Sequence, residues 1–336
     1  MKYPRFALRF VSSMAPDKHE LKVAFVTDAF PVISQTFIVN QVADLLDRGV
    51  EVEIFTYNRG SRKNISSRYE TYRMEERTHY LQRPPSTIHR LTGALPRAFR
   101  ILRTSPLSLA RAINCFKYGR KALSLRLLFE VAPFVGKRFD IVHCHFGTCA
   151  VSYLDIKDIL RLDVPFVTTL YGYDVSSVFE KSPAEFYNRL KHESSLFLVM
   201  SNNMKQRVVA HGFPEHKVKV HPASIDVSSY PFCERKHRVG EPIEIVSVGR
   251  LVAKKGFDDL LRALAIVRSR TDRTFRCSVV GGGPLEQEMR ELAVSLGLAD
   301  VVEFKGYLTI ERIVDLLLKK HIMVQPSKTA PDGDME

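Results

Sequence analysis

The sequence is poor in cysteine and has no apolar run of membrane-spanning length. Its five cysteines include no Cys-x-x-Cys pair, which excludes a disulfide scaffold and fits a reducing compartment. No run approaches the ~18–20 apolar residues that cross a bilayer, so an integral membrane protein is not expected. The short apolar patch near the N-terminus is interrupted by Arg9, and it does not resemble a secretory signal.

The positive charge is confined to one part of the chain. The 336 residues carry a net charge of +13, yet residues 59–138 alone hold 18 Lys or Arg against four acids. A basic stretch of this kind favours nucleic acid, a membrane surface or phosphorylated substrates as partner, although a merely solvated basic face is an equal alternative. We interpret 59–138 as an insertion-like helical segment, divided into short helices at Pro96 and Pro106.

Within this basic segment, Arg97, Arg100 and Arg103 recur every three residues. This spacing predicts that they share one helix face, near Phe99 and Leu102. A basic amphipathic helix suits a membrane surface, and it equally suits an outer helix whose arginines reach solvent.

Strand and helix patterns alternate along most of the chain, which predicts an α/β fold. Length and an apolar content of 45% suit about two domains. We expect two Rossmann-like, doubly wound domains that face a cleft, with ligands beyond the carboxyl ends of the strands. The predicted units are a flexible extension (1–20, with Met1 or Met14 as the start), an N-terminal domain (21–226), a linker (227–242) and a C-terminal domain (243–336).

Two motifs of the C-terminal domain follow neighbouring strands. Arg250 and Lys255 stand five residues apart after the first strand, where two cations can converge on one anion, although exposed surface charge is the alternative. Gly281–Leu285 follows the next strand and opens a helix, which suits phosphate binding, although a plain tight turn is the alternative. Glu286 occupies the place of the third glycine of Gly-x-Gly-x-x-Gly, which disfavours a dinucleotide cofactor.

Histidines and aromatic residues end two strands of the N-terminal domain. His143 and His145 lie on one side of their strand, near Cys149, but the set lacks a convincing fourth zinc ligand. Tyr171-Gly-Tyr-Asp174 follows the next strand and suits a hydroxyl-rich ligand, while Asp174 alone also suits a helix N-cap.

One further motif is acidic. Asp332-Gly-Asp334 could hold a divalent cation between its carboxylates. Turn chemistry explains the pattern more readily, so no metal is expected.

Taken in order, these motifs resemble those of the family-4 glycosyltransferases of GT-B architecture, most of all the subgroup that assembles exopolysaccharides such as colanic acid and amylovoran. The matching residues are Phe30-Pro31 with Ser34-Gln35-Thr36-Phe37-Ile38, His143-x-His145-Phe-Gly147, Leu170-Tyr-Gly-Tyr-Asp-Val175, Gly249-Arg-Leu with Lys255-Gly256, Gly282-Gly283-Pro284-Leu285, and Pro326-Ser327 followed by Asp332-Gly-Asp-Met-Glu336.

The resemblance implies a role for each motif. Arg250 and Lys255 would neutralise the donor diphosphate as it departs, and Glu336, the first Glu of an E-x7-E motif, would face the transferred sugar. The implied donor-binding residues are Gly249, Gly282, Gly283, Pro284 and Leu285. The implied acceptor or sugar contacts are Ser34, Gln35, Thr36, His145, Tyr171, Gly172 and Asp174. The family retains the anomeric configuration and uses neither metal nor cofactor.

Three departures from the family pattern bear on this reading. Gln35 replaces the usual Glu, and Tyr171 replaces a common His. A tyrosine can still donate a hydrogen bond, but its pKa near ~10 makes it a poor base at neutrality. The chain stops at Glu336, before the second Glu of the motif, so the resemblance implies a truncated product with an incomplete second domain.

The function expected from the resemblance is retaining transfer of a sugar from a nucleotide-sugar to a lipid-linked oligosaccharide, in exopolysaccharide biosynthesis. The protein would be cytoplasmic, with a peripheral position on the inner face of the cell membrane through 59–138. The alternatives are another GT-B enzyme, such as an epimerase or phosphorylase, a non-catalytic nucleotide-binding remnant, and a basic nucleic-acid or membrane-surface binding protein. No specific nucleic acid is expected, because the basic segment lacks the aromatic interleaving of a stacking platform and any motif that reads bases.

Overall fold

The computed structural model describes residues 20–223, 225, 227–238 and 240–334. The extension predicted at 1–20, except for its last residue, lies outside the described residues, and so does Glu336. The predicted linker falls outside them at residue 239.

The N-terminal half is built on a seven-stranded parallel sheet. Its spatial order is β3-β2-β1-β4-β5-β6-β7. The strands are β1 (Lys22–Phe30), β2 (Glu51–Arg59), β3 (Thr78–Tyr80), β4 (Ile141–His145), β5 (Phe166–Leu170), β6 (Leu196–Val199) and β7 (Val218–Val220).

Helices cover both faces of this sheet because its strands are apolar on both sides. Alternate residues of β1 enter different cores: Val23 and Phe25 pack on one face, Ala24 and Val26 on the other. The helices are α1 (Thr36–Asp47), α2 (Ser67–Thr71), α3 (Thr87–Thr104), α4 (Pro106–Ala112), α5 (Cys115–Tyr118), α6 (Arg120–Leu123), α7 (Arg126–Val131), α8 (Gly147–Leu160), α9 (Ser177–Lys181), α10 (Asn188–Glu193) and α11 (Asn202–Ala210).

The C-terminal half is a four-stranded parallel sheet with its own core. The spatial order is β10-β9-β8-β11, and a separate apolar cluster joins the sheet to its helices. The elements are β8 (Ile243–Val248), α12 (Phe257–Arg270), β9 (Phe275–Val280), α13 (Glu286–Ser295), β10 (Val302–Gly306), α14 (Ile310–Leu317) and β11 (Ile322–Met323).

Both strand orders reverse direction at one point, as in doubly wound folds. The reversal lies between β1 and β4 in the larger sheet and between β8 and β11 in the smaller one. Ligands of open α/β sheets bind beyond the strand ends at such points. The fold therefore favours the loops after β1, β4 and β8 as carriers of the functional side chains.

The basic segment is an integral part of the N-terminal half, which corrects its interpretation as an insertion. It supplies the edge strand β3, and Ile101, Ala112 and Leu127 are buried in the core beneath the sheet. Buried apolar side chains of this kind stabilise the domain by roughly 1.5–3 kcal/mol each.

The predicted break at Pro96 is also wrong, because α3 runs through it from Thr87 to Thr104. Proline removes one hydrogen bond from a helix, to the carbonyl four residues earlier. Here Pro96 and Thr92 are both exposed, so water can bond the freed carbonyl and the helix continues. The other break, before Pro106, agrees with the prediction, since α4 begins there.

The orientation of α3 gives a stability prediction. Ile101 is fully buried, whereas its neighbour Leu102 is 45% exposed. We expect Ile101→Ala to lower the free energy of unfolding by about 2–5 kcal/mol, because the cavity cannot collapse completely. Leu102→Ala, the matched control, should change it by less than about 0.5 kcal/mol. Urea unfolding followed by circular dichroism measures both, and equal losses would contradict the orientation of α3.

Candidate functional site

The carboxyl ends of both sheets line a cleft between the two halves. The cleft holds a cavity of about 680 Å³ and a smaller one of about 200 Å³, and both are lined by Ser34, Gly249 and Arg250. Two β-α loops therefore meet here, one after β1 and the other after β8. Thr36 lines the smaller cavity, whereas Gln35 and Gly172 line the larger.

Cationic side chains form the wall of the C-terminal half. The exposed Arg250 has no carboxylate partner among the described residues, and the Lys255 side chain lies across Gly249, about 3.4–3.5 Å from where a β-carbon would stand. A β-carbon at position 249 would therefore make ordinary van der Waals contact with the lysine stem. Arg250 and Lys255 are thus brought to one wall, where they can face a single anion.

The glycine-rich loop packs against the neighbouring loop. A β-carbon on Gly281 would stand 1.9 Å from the Gly249 carbonyl oxygen, and one on Gly283 would stand 2.5 Å from that of Leu251. The Leu251 amide donates to the Gly282 carbonyl at 3.0 Å. These glycines allow close backbone contact between the loops after β8 and β9.

An aromatic cluster forms the opposite wall. The Tyr171 ring lies 4.8 Å from that of Phe37 and 4.7 Å from that of Phe146, and Tyr173 exposes half of its surface to the cavity. Phe146 has a φ of 73°, a strained value for a bulky residue that is typical of functional sites. The wall therefore offers aromatic ring faces to a ligand.

His145 lies behind this wall and does not line the cavities. It is fully buried, and its Nδ1 lies 2.9 Å from the Tyr171 hydroxyl group. Burial, and then the neighbouring His143, lower the pKa of His145 well below its usual range, so the ring is neutral near pH 7. It therefore orients the Tyr171 hydroxyl group rather than contacting a ligand.

Asp174 is also buried. Its carboxylate bonds backbone amides at the start of a helix, much as an N-cap residue does. Its carboxylate accepts hydrogen bonds from the Gly147 and Tyr171 amides, each at 2.9 Å. Burial raises its pKa to about 7, while these amides oppose the shift. The side chain joins the loop after β5 to the start of α8, and so fixes the position of Tyr171.

The structure does not support a metal site at the two histidines. His143 and His145 stack on each other with ring centroids 4.2 Å apart, and His143 bonds Thr169 at 2.7 Å. Within the described residues, no group of three or more His, Cys, Asp or Glu side chains is placed to hold a metal ion.

Each Asp-x-Asp carboxylate pairs with a lysine, and the Asp332–Lys181 pair joins the two halves. Asp332 bonds Lys181 at 3.0 Å, and that ion pair lowers the pKa of Asp332. Asp334 bonds both Lys254, at 3.1 Å, and the Ser176 hydroxyl group, at 3.2 Å. The motif therefore connects the two halves on one side of the cleft.

A second polar contact connects the halves near the smaller cavity. Glu311 accepts hydrogen bonds from the Ser67 amide and hydroxyl groups at 3.1 and 2.9 Å, and Asn64 donates to the Tyr307 carbonyl at 3.1 Å. Each of these exposed hydrogen bonds contributes little to stability by itself.

A third cavity, of about 380 Å³, extends the site into the N-terminal half. Asp28 and Thr148 line both it and the large cleft cavity. Its other polar lining residues include Tyr57, Arg83 and an ion pair, Arg126 with Glu130. Sequence reasoning missed this set, although the position of Asp28 near the end of β1 was a usable signal.

The structure thus brings together about half of the predicted site residues. Those on the cavity walls are Ser34, Gln35, Thr36, Tyr171, Gly172, Gly249, Arg250 and Lys255. Those that do not line the cleft cavities are His145, Asp174, Gly282, Gly283, Pro284 and Leu285.

Comparison with known proteins agrees with this architecture. A family model described as "Glycosyltransferase Family 4" matches residues 34–229, and one described as "Glycosyl transferases group 1" matches residues 232–333. AmsK of Erwinia amylovora, named an amylovoran biosynthesis glycosyltransferase, is 29% identical over 328 residues, covering 94% of this chain and 78% of AmsK. WcaL of Escherichia coli (strain K12), whose name assigns it to colanic acid biosynthesis, is 29% identical with the same coverage.

Solved structures share the fold at low sequence identity. Anabaena Alr3699/HepE in complex with UDP and glucose has a TM-score of 0.60 at 15% identity, over 94% of this chain and 76% of that one. WaaG, a lipopolysaccharide glycosyltransferase, has a TM-score of 0.51 at 14% identity, over 91% and 75%. The predicted GT-B fold and the resemblance of the motifs are confirmed. The chain belongs to glycosyltransferase family 4 and is a glycosyltransferase.

Proposed function

We propose that the protein transfers a sugar from a nucleotide-sugar to a lipid-linked oligosaccharide, with retention of anomeric configuration, during exopolysaccharide assembly. The observation that carries the proposal is Arg250, a guanidinium without a carboxylate partner among the described residues, at the meeting point of the two cleft cavities. The names of AmsK and WcaL support the pathway class, and the UDP bound to HepE supports a nucleotide-sugar donor.

The donor fits between the cationic and the aromatic walls. Its diphosphate would lie against Arg250 and Lys255, because a bidentate guanidinium and an ammonium together match two phosphate groups. The sugar would face Tyr171 and the exposed ring of Tyr173, since apolar sugar faces pack on aromatic rings. Gln35 adds a carboxamide oxygen that has no hydrogen-bond partner among the described residues.

The acceptor fits the third cavity, which joins the cleft at Asp28 and Thr148. Arg83 and Arg126 give this cavity two cations, while Glu130 and Asp28 add carboxylates. Such a mixed polar lining suits hydroxyl groups and an attached phosphate. Asp28 would accept a hydrogen bond from the acceptor sugar and direct it at the donor.

The proposed reaction depends more on stabilising the charge of the leaving phosphate than on a basic side chain that accepts the acceptor's proton. The bond from the sugar C1 to the diphosphate oxygen breaks, the acceptor hydroxyl oxygen bonds C1 on the same face, and its proton passes to the departing phosphate oxygen. Arg250 and Lys255 stabilise the charge that develops on that phosphate. Burial raises the pKa of Tyr171 well above its usual range, so this residue donates a hydrogen bond without ionising.

The first prediction concerns the donor. We expect calorimetry against UDP-, GDP- and ADP-sugars to identify one class that binds, and Arg250→Ala to weaken its binding about 10–100-fold, since hydrogen bonds to charged groups contribute about 1.5–3 kcal/mol. Arg273→Ala is the matched control, because Arg273 is an exposed arginine before β9, at the opposite end of that strand. Unchanged affinity in Arg250→Ala would exclude this diphosphate site.

The second prediction concerns the acceptor side. Asp28→Asn keeps the size of the side chain but removes its charge. We expect KM for a synthetic prenyl-pyrophosphate disaccharide to rise about tenfold or more, because a charge-assisted hydrogen bond is lost. Donor affinity, measured by calorimetry, is the internal control and should stay constant. A loss of donor affinity with no change in acceptor KM would assign Asp28 to the donor instead.

The third prediction separates binding by Tyr171 from proton transfer. Tyr171→Phe should lower kcat/KM by roughly fivefold to tenfold, the value of one hydrogen bond of about 1 kcal/mol. The pH profile of kcat/KM should keep its shape, because the tyrosine does not titrate near neutrality. Loss of one limb of that profile in the variant would identify Tyr171 as a base and contradict the proposal.

A further inference from the structure

Helix α3 turns its large apolar side chains away from the protein. Ala94 and Ile101 are buried against the domain, and the apolar residues on the opposite face recur every three or four positions. These residues, 45–72% exposed, are Ile88, Leu91, Leu95, Phe99 and Leu102. An ordinary surface helix buries such a face.

Two arginines of α3, Arg97 and Arg100, contact the domain beneath the helix. The Arg97 guanidinium lies 4.3 Å from the centre of the Phe129 ring and donates to the Gly93 carbonyl at 2.8 Å. Arg100 donates to the Val135 carbonyl at 3.4 Å. The cation–π contact therefore holds Arg97 against the protein, whereas Arg100 and Arg103 are exposed, as the alternative of an outer helix with solvent-facing arginines predicts.

Exposed apolar side chains continue into the next three helices. Nine of the 21 large apolar residues that are exposed in the described part of the chain fall between positions 88 and 123. After α3 they are Leu107, Ile113, Phe116 and Leu123, and the Phe116 ring is fully exposed. Such a concentration of exposed apolar side chains on a protein surface is typical of an interaction site.

The charge around these apolar residues indicates what covers them. Residues 77–129 contain eleven Lys or Arg and no Asp or Glu. Arg103 is exposed beside the apolar face and lies 5.7 Å from the Phe99 ring, and Arg120 is exposed on α6. Lys117 and Lys121 pair with Asp158 and Asp155 of α8, so the cations that remain beside the apolar face include Arg103 and Arg120. An apolar helix face flanked by arginines complements anionic headgroups above acyl chains.

We propose that α3 lies in the plane of an anionic lipid bilayer and anchors the protein through Leu91, Leu95 and Phe99. Within the described residues, no helix has the length and apolar character to cross a membrane, so the contact is interfacial. The apolar side chains enter the acyl boundary, while Arg103 and Arg120 meet the headgroups, each adding on the order of 1 kcal/mol.

This anchor lies next to the proposed acceptor cavity. Arg83 lines that cavity, and α3 begins only four residues later, at Thr87, a chain distance of at most ~14 Å. A lipid-linked acceptor held at the bilayer surface would therefore meet the cavity without leaving the membrane. This last step rests on the proposed function, whereas the anchor itself does not.

The test is co-sedimentation of the full chain with vesicles of phosphatidylcholine alone or mixed with phosphatidylglycerol. We expect binding to require the anionic lipid, to fall with added salt, and to weaken about tenfold or more in the double variant Leu95→Ser, Phe99→Ser, because its apolar insertion is lost. The matched control is Ile266→Ser, Val294→Ser, two exposed apolar residues of the other half, and it should bind like the wild type.

Three outcomes would overturn the anchor. The first is equal binding to neutral and anionic vesicles, and the second is unchanged vesicle binding by the double variant Leu95→Ser, Phe99→Ser. The third is a wild-type dimer, detected by light scattering, that the double variant dissociates, combined with no vesicle binding by either the wild type or the variant. Calorimetry with the nucleotide-sugar, on the same variants without vesicles, should be unchanged. A loss of nucleotide-sugar affinity in these variants would indicate a defect in folding or in the donor site. That result can be told apart from a loss of vesicle binding alone, which reports on the anchor.

Discussion

Because the strands within each sheet run parallel, their carboxyl ends and the loops that follow them lie along one edge. The proposed site depends on this parallel arrangement of the strands. The loops after β1, β4, β5 and β8 belong to different parts of the sequence, yet they are obliged to meet at facing edges. Asp28, Phe146, Tyr171 and Arg250 are therefore neighbours by topology, and local sequence only selects their chemistry.

Each half fixes its part of the site by a different means. In the C-terminal half the loops after β8 and β9 touch backbone to backbone, since Gly281 and Gly283 have no β-carbon to hold them apart. In the N-terminal half, the buried Asp174 carboxylate joins two loops through amide hydrogen bonds. Neither the glycine contacts nor the Asp174 carboxylate would touch the proposed ligand. Both instead hold in place the side chains proposed to contact it, Arg250 and Tyr171, as a preorganised site requires.

The sequence predicts the alternation of strands and helices well because the apolar runs of both sheets are dense and end at clear turns, as in β8 and β9. It could not predict the third cavity, because Asp28, Tyr57, Arg83 and Arg126 converge from four separate elements. Nor could it orient α3, since an amphipathic pattern defines two faces without saying which one turns inward. The glycine loop was ambiguous for a similar reason, because close approach by backbone and by ligand both demand glycine.

The distribution of charge separates two electrostatic tasks. Residues 243–336 carry 14 basic and 14 acidic residues, so the C-terminal half has no net attraction for a nucleotide diphosphate. The proposed donor affinity would therefore come from the local placement of Arg250 and Lys255 at the cleft wall, where two cations can bond one anion directly. The proposed membrane contact of the N-terminal half would rest instead on charges spread over an exposed surface, and salt screens such charges beyond ~8 Å. Under these two proposals, salt should weaken membrane attachment much more than it weakens capture of the donor in the cleft.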